Sequence, residues 1–183
     1  MKLESLEKNH YYHIFNRGIN GCTIFNSNEN KAFFLKQLDK YTNDKVSFFA
    51  YCLMDNHFHF VVRIDEDEKQ VTQLFSNFFN SYVKAFNKQN NRTGSLFEKH
   101  FKRIRLKNEE YLRSLIVYVH LNPTHHLGLD FEEYKFSSYQ AILSSKESKI
   151  KKNEVIQLFD DKENFIFYHK QRKDKLTEEY TFE

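Results

Sequence analysis

Asn56-His57-Phe58-His59-Phe60-Val61-Val62-Arg63-Ile64 alternates with period two, and its reading decides the fold. Phe58, Phe60, Val62 and Ile64 fall on one face of an extended strand, and His57, His59, Val61 and Arg63 on the other. The first face is wholly apolar, which predicts burial against the main core. The second carries two imidazoles at i, i+2, which point the same way from neighbouring pleats. Both rings can therefore reach one ion from a rigid support.

Working outward, Val46–Met54 reads as a strand, and Asp55-Asn56 is short enough to join it to the histidine strand as a hairpin. Upstream, Tyr11–Asn16 reads as a first strand ended by a turn at Arg17-Gly18-Ile19-Asn20-Gly21. Between them, Ala32, Phe33, Leu35, Leu38 and Tyr41 recur at helical spacing. Downstream of an acidic loop at 65–69, Val71, Leu74, Phe75, Phe78, Phe79, Tyr82, Val83 and Phe86 form a second amphipathic helix. Leu96–Leu106 reads as a further strand. Asn108-Glu109-Glu110 then opens a third helix, with acidic residues where the macrodipole favours them. Pro123, the single proline, is expected to stop it. The order strand, helix, hairpin, helix, strand, helix predicts an α+β class with a ferredoxin-like antiparallel sheet and packed helices. Residues 1–140 form this domain. Residues 141–183 are expected to be a small helical C-terminal extension, docked by Val155, Leu158, Phe159, Phe165, Phe167 and Tyr168 after a Lys-rich loop at 146–153.

The bulk numbers bound the function. A chain of 183 residues supports one domain with a real core, and aromatics at 17% supply both core and stacking surface. A net charge of +3 permits a polyanionic partner without demanding one. Cys22 and Cys52 have no metal-ligand spacing, which predicts a reduced, cytoplasmic chain. No apolar run reaches bilayer length, so no membrane association is expected. Four glycines leave little room for a Gly-rich phosphate loop.

The third helix supplies the partners of the histidine pair. Leu112, Leu115, Ile116 and Val119 form its core stripe, and Tyr118 and Asn122 stand at i, i+4 on a neighbouring face. The Asn122 amide oxygen can complete a metal site begun by His57 and His59. Tyr118, one turn away, can attack a group bound there. Two imidazoles and an amide leave a divalent ion its full charge, so it can act as a Lewis acid on a phosphodiester. Oxygen ligands suit Mg²⁺ and imidazoles suit Mn²⁺, so Mg²⁺ or Mn²⁺ is the expected cofactor. A tyrosyl phosphodiester keeps the energy of the broken bond, so a later 3′-hydroxyl can take the strand back.

At this point a resemblance becomes specific. The chain resembles the single-tyrosine transposases of the His-hydrophobic-His (HUH) superfamily, within them the REP-associated tyrosine transposase branch of the insertion-sequence enzymes. It is carried by Tyr12-His13-Ile14-Phe15-Asn16-Arg17-Gly18, Tyr51-Cys52-Leu53-Met54-Asp55-Asn56-His57-Phe58-His59, Gly94-Ser95-Leu96-Phe97, Tyr118-Val119-His120-Leu121-Asn122-Pro123 and Phe136-Ser137-Ser138-Tyr139, in that order over residues 11–140. The resemblance implies an HUH endonuclease fold and metal-dependent nicking of single-stranded DNA beside hairpin (palindromic) ends through a 5′-phosphotyrosine. It also implies a monomer or homodimer. By position, His57 and His59 match the metal pair, Tyr118 the nucleophile and Asn122 the third ligand. Many insertion-sequence relatives carry Gln in place of Asn122, so the shorter amide has to sit closer.

A basic edge completes the set. Arg103, Arg105 and Lys107 are expected to point outward from the strand while Ile104 and Leu106 point in; Lys99 and Lys102 lie nearby. Together with Arg17 they are candidates for phosphate contact, against the plainer reading of a solvated, edge-protecting face. His120 is expected to be structural or DNA-facing, His125 and His126 to lie exposed in a turn after Pro123, and His10, His100 and His169 to have no role. A non-catalytic hairpin-binding protein and a water-using metal hydrolase remain the alternatives.

Overall fold

The computed structural model describes residues 4–173. Four strands form one antiparallel sheet: β1 (Tyr11–Arg17), β2 (Val46–Leu53), β3 (His57–Ile64) and β4 (Lys102–Arg105), in the order β2-β3-β1-β4. The helices are α1 (Asn28–Thr42), α2 (Glu68–Gln89), α3 (Glu109–Leu127), α4 (Tyr139–Leu143), α5 (Lys152–Leu158) and α6 (Lys162–Lys173). This is the α+β architecture the alternation at 56–64 predicts.

The apolar face of β3 is buried as expected. Phe58, Phe60, Val62 and Ile64 have no exposed surface, and Tyr12 and Ile14 of β1 lie beside them. Phe34 of α1 sits at the centre of this layer, with its ring 5.3 Å from Phe58 and 4.7 Å from Phe78 of α2. Such edge-on and tilted aromatic pairs add to the burial of large side chains. The dense Phe content thus serves mainly the core between the sheet and α1/α2. The helices start where side-chain oxygens can cap them: Ser27 accepts from the Asn30 N–H, Asp67 from Gln70 and Asn108 from Tyr111.

The opposite face of the sheet carries α3, and α6 packs on α3 in turn. Their contact is a directional chain of buried hydrogen bonds. The His169 Nδ1–H donates to the Phe165 carbonyl (2.7 Å), so its Nε2 accepts from His120 Nδ1–H (2.8 Å). His120 Nε2 then accepts from the Ser138 hydroxyl (2.7 Å), which in turn receives the Tyr51 N–H of β2 (2.9 Å). His120 is therefore structural and not DNA-facing, and His169, which sequence reasoning left without a role, is its partner.

Neither ring has room for a second proton, and burial pushes His169 down to about 4 and His120 well below its usual range. Between pH 6.5 and 4 the unfolded chain binds a proton at position 169 that the folded chain refuses, so stability falls as pH falls through that window. Thermal melts at pH 7 and pH 5 should differ by roughly 4–8 °C from this residue alone. His169→Gln, which cannot take up the proton, should melt with a shallower pH dependence.

Four local expectations are corrected. Proline does not stop α3: the helix runs through Pro123 to Leu127 and ends at Gly128, whose left-handed conformation (φ 65°) lets its N–H reach back to the Thr124 carbonyl. His125 and His126 are exposed as expected, but on the last helical turn. The strand expected over Leu96–Leu106 is regular only at Lys102–Arg105, because His100 takes a positive φ of 63° and breaks it. In the C-terminal part, Val155, Phe159 and Phe165 dock as expected, whereas Phe167 and Tyr168 are exposed. The remainder of that extension, 174–183, lies outside the described residues.

Candidate active site

His57 and His59 project from β3 toward α3. Register sets their neighbours: Phe15 lies opposite His59 and Val61 opposite His13, so His13 and His59 are diagonal on the same face. His13 Nε2 is 2.9 Å from His59 Nδ1, and both rings are buried. Burial pushes His13 down to about 3 and His59 well below its usual value, so both are neutral imidazoles at physiological pH. The tautomer in which His59 Nδ1–H donates to His13 Nε2 leaves the lone pair of His59 on Nε2. A hydrogen-bonded imidazole of this kind is how proteins orient a metal-ligating histidine. Sequence reasoning gave His13 no role. Its signal was the β1 alternation, in which His13 and Phe15 share the face opposite Tyr12 and Ile14.

His57 is half-buried and is oriented from the other side. Its Nδ1 is 2.7 Å from Asn56 Oδ1, an acceptor, so Nδ1 carries the proton and Nε2 the lone pair. That lone pair faces Asn122 Oδ1 at 3.5 Å. The Asn122 amide nitrogen donates to the Tyr118 carbonyl at 2.9 Å, which turns the oxygen toward His57. Two electron-rich atoms thus converge from a strand and a helix. Adjacent ligands of an octahedral ion with bonds of about 2.1 Å lie about 3 Å apart, so the donor set fits a divalent cation with modest closure. Asn122 is also almost fully buried. Tyr118 stands one turn back on α3, half-buried, with its ring 5.7 Å from that of His59 and edge-on to it. Among the described residues, no three His, Cys, Asp or Glu side chains converge on one point as they stand.

The turn that presents His57 is tightly held. The Asp55 carbonyl accepts from the N–H groups of Ile24 and Phe25, and the Asn56 carbonyl from Gly18. Buried Lys31 donates to Asp55 Oδ1 at 2.7 Å and to the Tyr134 hydroxyl at 3.1 Å. Gly18 is there for space: a Cβ at this position would lie 1.9 Å from the Cys22 carbonyl oxygen.

In front of the centre lies a cleft of about 720 Å³, and the basic candidates divide around it. Arg17 and Lys102 line the cleft, Arg17 paired with Glu98 and Lys102 with its ammonium 5.4 Å from the Phe15 ring centroid. Arg103 and Arg105 stand opposite Ile14 and Tyr12, which puts them on the α1/α2 side of the sheet. Arg103 packs over Phe101 and Arg105 pairs with Glu7. Ile104, expected inward, is half-buried opposite His13 on the cleft side. Leu106 is buried and Arg105 exposed, as expected, while Arg103 is half-buried. Lys99 and Lys107 are exposed.

The sheet order, the histidine pair on a central strand and the tyrosine helix across from it define an HUH-type fold. The chain is similar in structure to a REP-associated tyrosine transposase bound to a REP hairpin, with a TM-score of 0.63 over 78% of this chain and 84% of that one, at 14% sequence identity. A tRNA(His) guanylyltransferase from Saccharomyces cerevisiae aligns with a TM-score of 0.38 at 14% identity, too distant to bear on the fold. No protein-family model and no curated protein matches the sequence. Among the described residues no helix is long and apolar enough to cross a membrane.

Proposed function

We propose that this chain is a single-stranded DNA endonuclease and strand transferase of the tyrosine transposase type, acting beside DNA hairpins. The observation that carries the reading is the convergence of His57 Nε2 and Asn122 Oδ1, with Tyr118 one helical turn away. The fold shared with a transposase bound to a REP hairpin supports the same substrate class here.

His57, His59 and Asn122 would hold Mg²⁺ or Mn²⁺. When bound, such an ion polarises the scissile phosphate as a Lewis acid. The residues do the rest. His13 and Asn56 keep the two imidazoles in the ligating tautomer. The Tyr118 hydroxyl loses its proton to solvent and attacks phosphorus. The P–O3′ bond breaks, the upstream strand leaves with a 3′-hydroxyl and the downstream strand stays on Tyr118 as a 5′-phosphodiester. Attack by a 3′-hydroxyl on that ester reverses the step and rejoins strands without an external energy source. Arg17 and Lys102 would hold phosphates along the cleft, which makes binding salt-sensitive. Lys99, Arg103, Arg105 and Lys107 would contact only DNA that wraps past the β4 edge. The described residues past 140 are docked on α3 through α6, so the extension is read as a support for the tyrosine helix.

The test is a denaturing gel of the protein with labelled hairpin-containing single strands drawn from the DNA flanking its gene, with Mn²⁺ or with EDTA. A labelled, metal-dependent protein band is expected. Tight binding with no cleavage of any pool member would replace this reading with a non-catalytic hairpin-binding protein.

A further inference from the structure

Because α3 continues through Pro123, a third side chain joins the stripe made by Tyr118 and Asn122. His126 follows Asn122 at i+4 and so lies on the same side of the helix. Its ring centroid is 5.2 Å from that of His57, at 72°. His57 and His59 are themselves 5.1 Å apart at 83°. His57 is therefore flanked by imidazoles on both sides, one from the sheet and one from the helix. His126 is exposed and lines the same cleft as His57 and His59.

Resting on the metal-centre reading above, we infer that His126 is a further ligand of that centre, so that the ion is held by three imidazoles and one amide and a late divalent ion is preferred to Mg²⁺. His126 now stands beside His57, not over the pair; an exposed side chain reaches the ion by a change of rotamer at little cost. The selectivity follows from ligand chemistry. Mg²⁺ binds oxygen and resists giving up water, whereas Mn²⁺, Co²⁺ and Zn²⁺ gain progressively from each added imidazole. A helix that ends at Pro123 contains no i, i+4 relation between Asn122 and residue 126, so the sequence alone does not offer this side chain.

Calorimetric titrations of metal-free protein with MnCl₂, CoCl₂ and MgCl₂, in the absence of DNA, test the inference. His126→Ala should weaken Co²⁺ and Mn²⁺ by about 10–100-fold and change Mg²⁺ by less than about threefold. Pulsed EPR of bound Mn²⁺ should lose one of three coordinated imidazole nitrogens. Position 126 is exposed, so the variant folds, which circular dichroism checks directly. Unchanged Co²⁺ and Mn²⁺ affinity with two imidazole nitrogens in both proteins would overturn the inference while leaving the His57/His59/Asn122 centre intact. His57→Ala separates the two ideas: if it too leaves metal affinity unchanged, the centre itself is absent and the inference falls with it.

Discussion

Tyr118→Phe is expected to abolish the covalent protein–DNA band and reduce cleavage by at least about 10³-fold, with hairpin affinity unchanged within about twofold. The two side chains differ by one oxygen. The ring is half-buried and edge-on to His59, so phenylalanine keeps the packing and the helix. The cleft residues proposed to hold phosphate, Arg17 and Lys102, come from β1 and β4 and are untouched. Loss of both adduct and cleavage with retained binding therefore reports on the nucleophile alone. Cleavage that persists without an adduct would transfer the attack to water and make the protein a metal hydrolase. The readouts are a denaturing gel for the adduct and fluorescence anisotropy for binding.

The two histidines of the pair should fail differently when replaced. His57→Ala is expected to lose metal-dependent cleavage while keeping a wild-type melting temperature within about 2 °C. His57 is half-exposed at the cleft, and its partner Asn56 returns to water without cost. His59→Ala should lose the same activity and also cost about 1–3 kcal/mol of stability, because it opens a cavity in the sheet face and leaves His13 Nε2 buried without its hydrogen bond. His59→Gln should recover part of the stability and none of the activity. Equal melting temperatures for the two alanine variants would show that the His13–His59 hydrogen bond contributes nothing to folding. Activity surviving in His57→Ala would remove the metal pair from the mechanism.

Much of this was legible in the sequence, for identifiable reasons. The alternation at 56–64 forces one face of β3 into the core because four consecutive same-face residues are apolar. The sheet order follows from a hairpin at Asp55-Asn56 and a strand on either side of two helices. The placing of Tyr118 and Asn122 one turn apart on α3 was legible because an i, i+4 pair survives any small error in helix bounds. What failed depended on long-range context. Pro123 carries no N–H, yet α3 is pinned along its length by Leu121 and Val119 in the core and His120 in its buried chain, so packing overrides the local break. His13 and His169 are partners of other histidines 46 and 49 residues away, a relation that no local pattern contains. On β4 the burial of Leu106 and the exposure of Arg105 follow the alternation, but Arg103 is half-buried with its guanidinium over the Phe101 ring, where the alternation predicts an outward cation.

Gly18 takes no part in the chemistry, yet it has no room for a single additional carbon. Its N–H holds the Asn56 carbonyl, and Asn56 aims His57. A map of tolerated substitutions along this chain will therefore mark position 18 as severely as position 118, for opposite reasons. One position is silent because an atom is missing, the other because an atom is in the way. Intolerance to mutation, taken alone, will not separate the residues that react from those that keep the backbone out of their path; adduct formation and folding have to be scored side by side at each position.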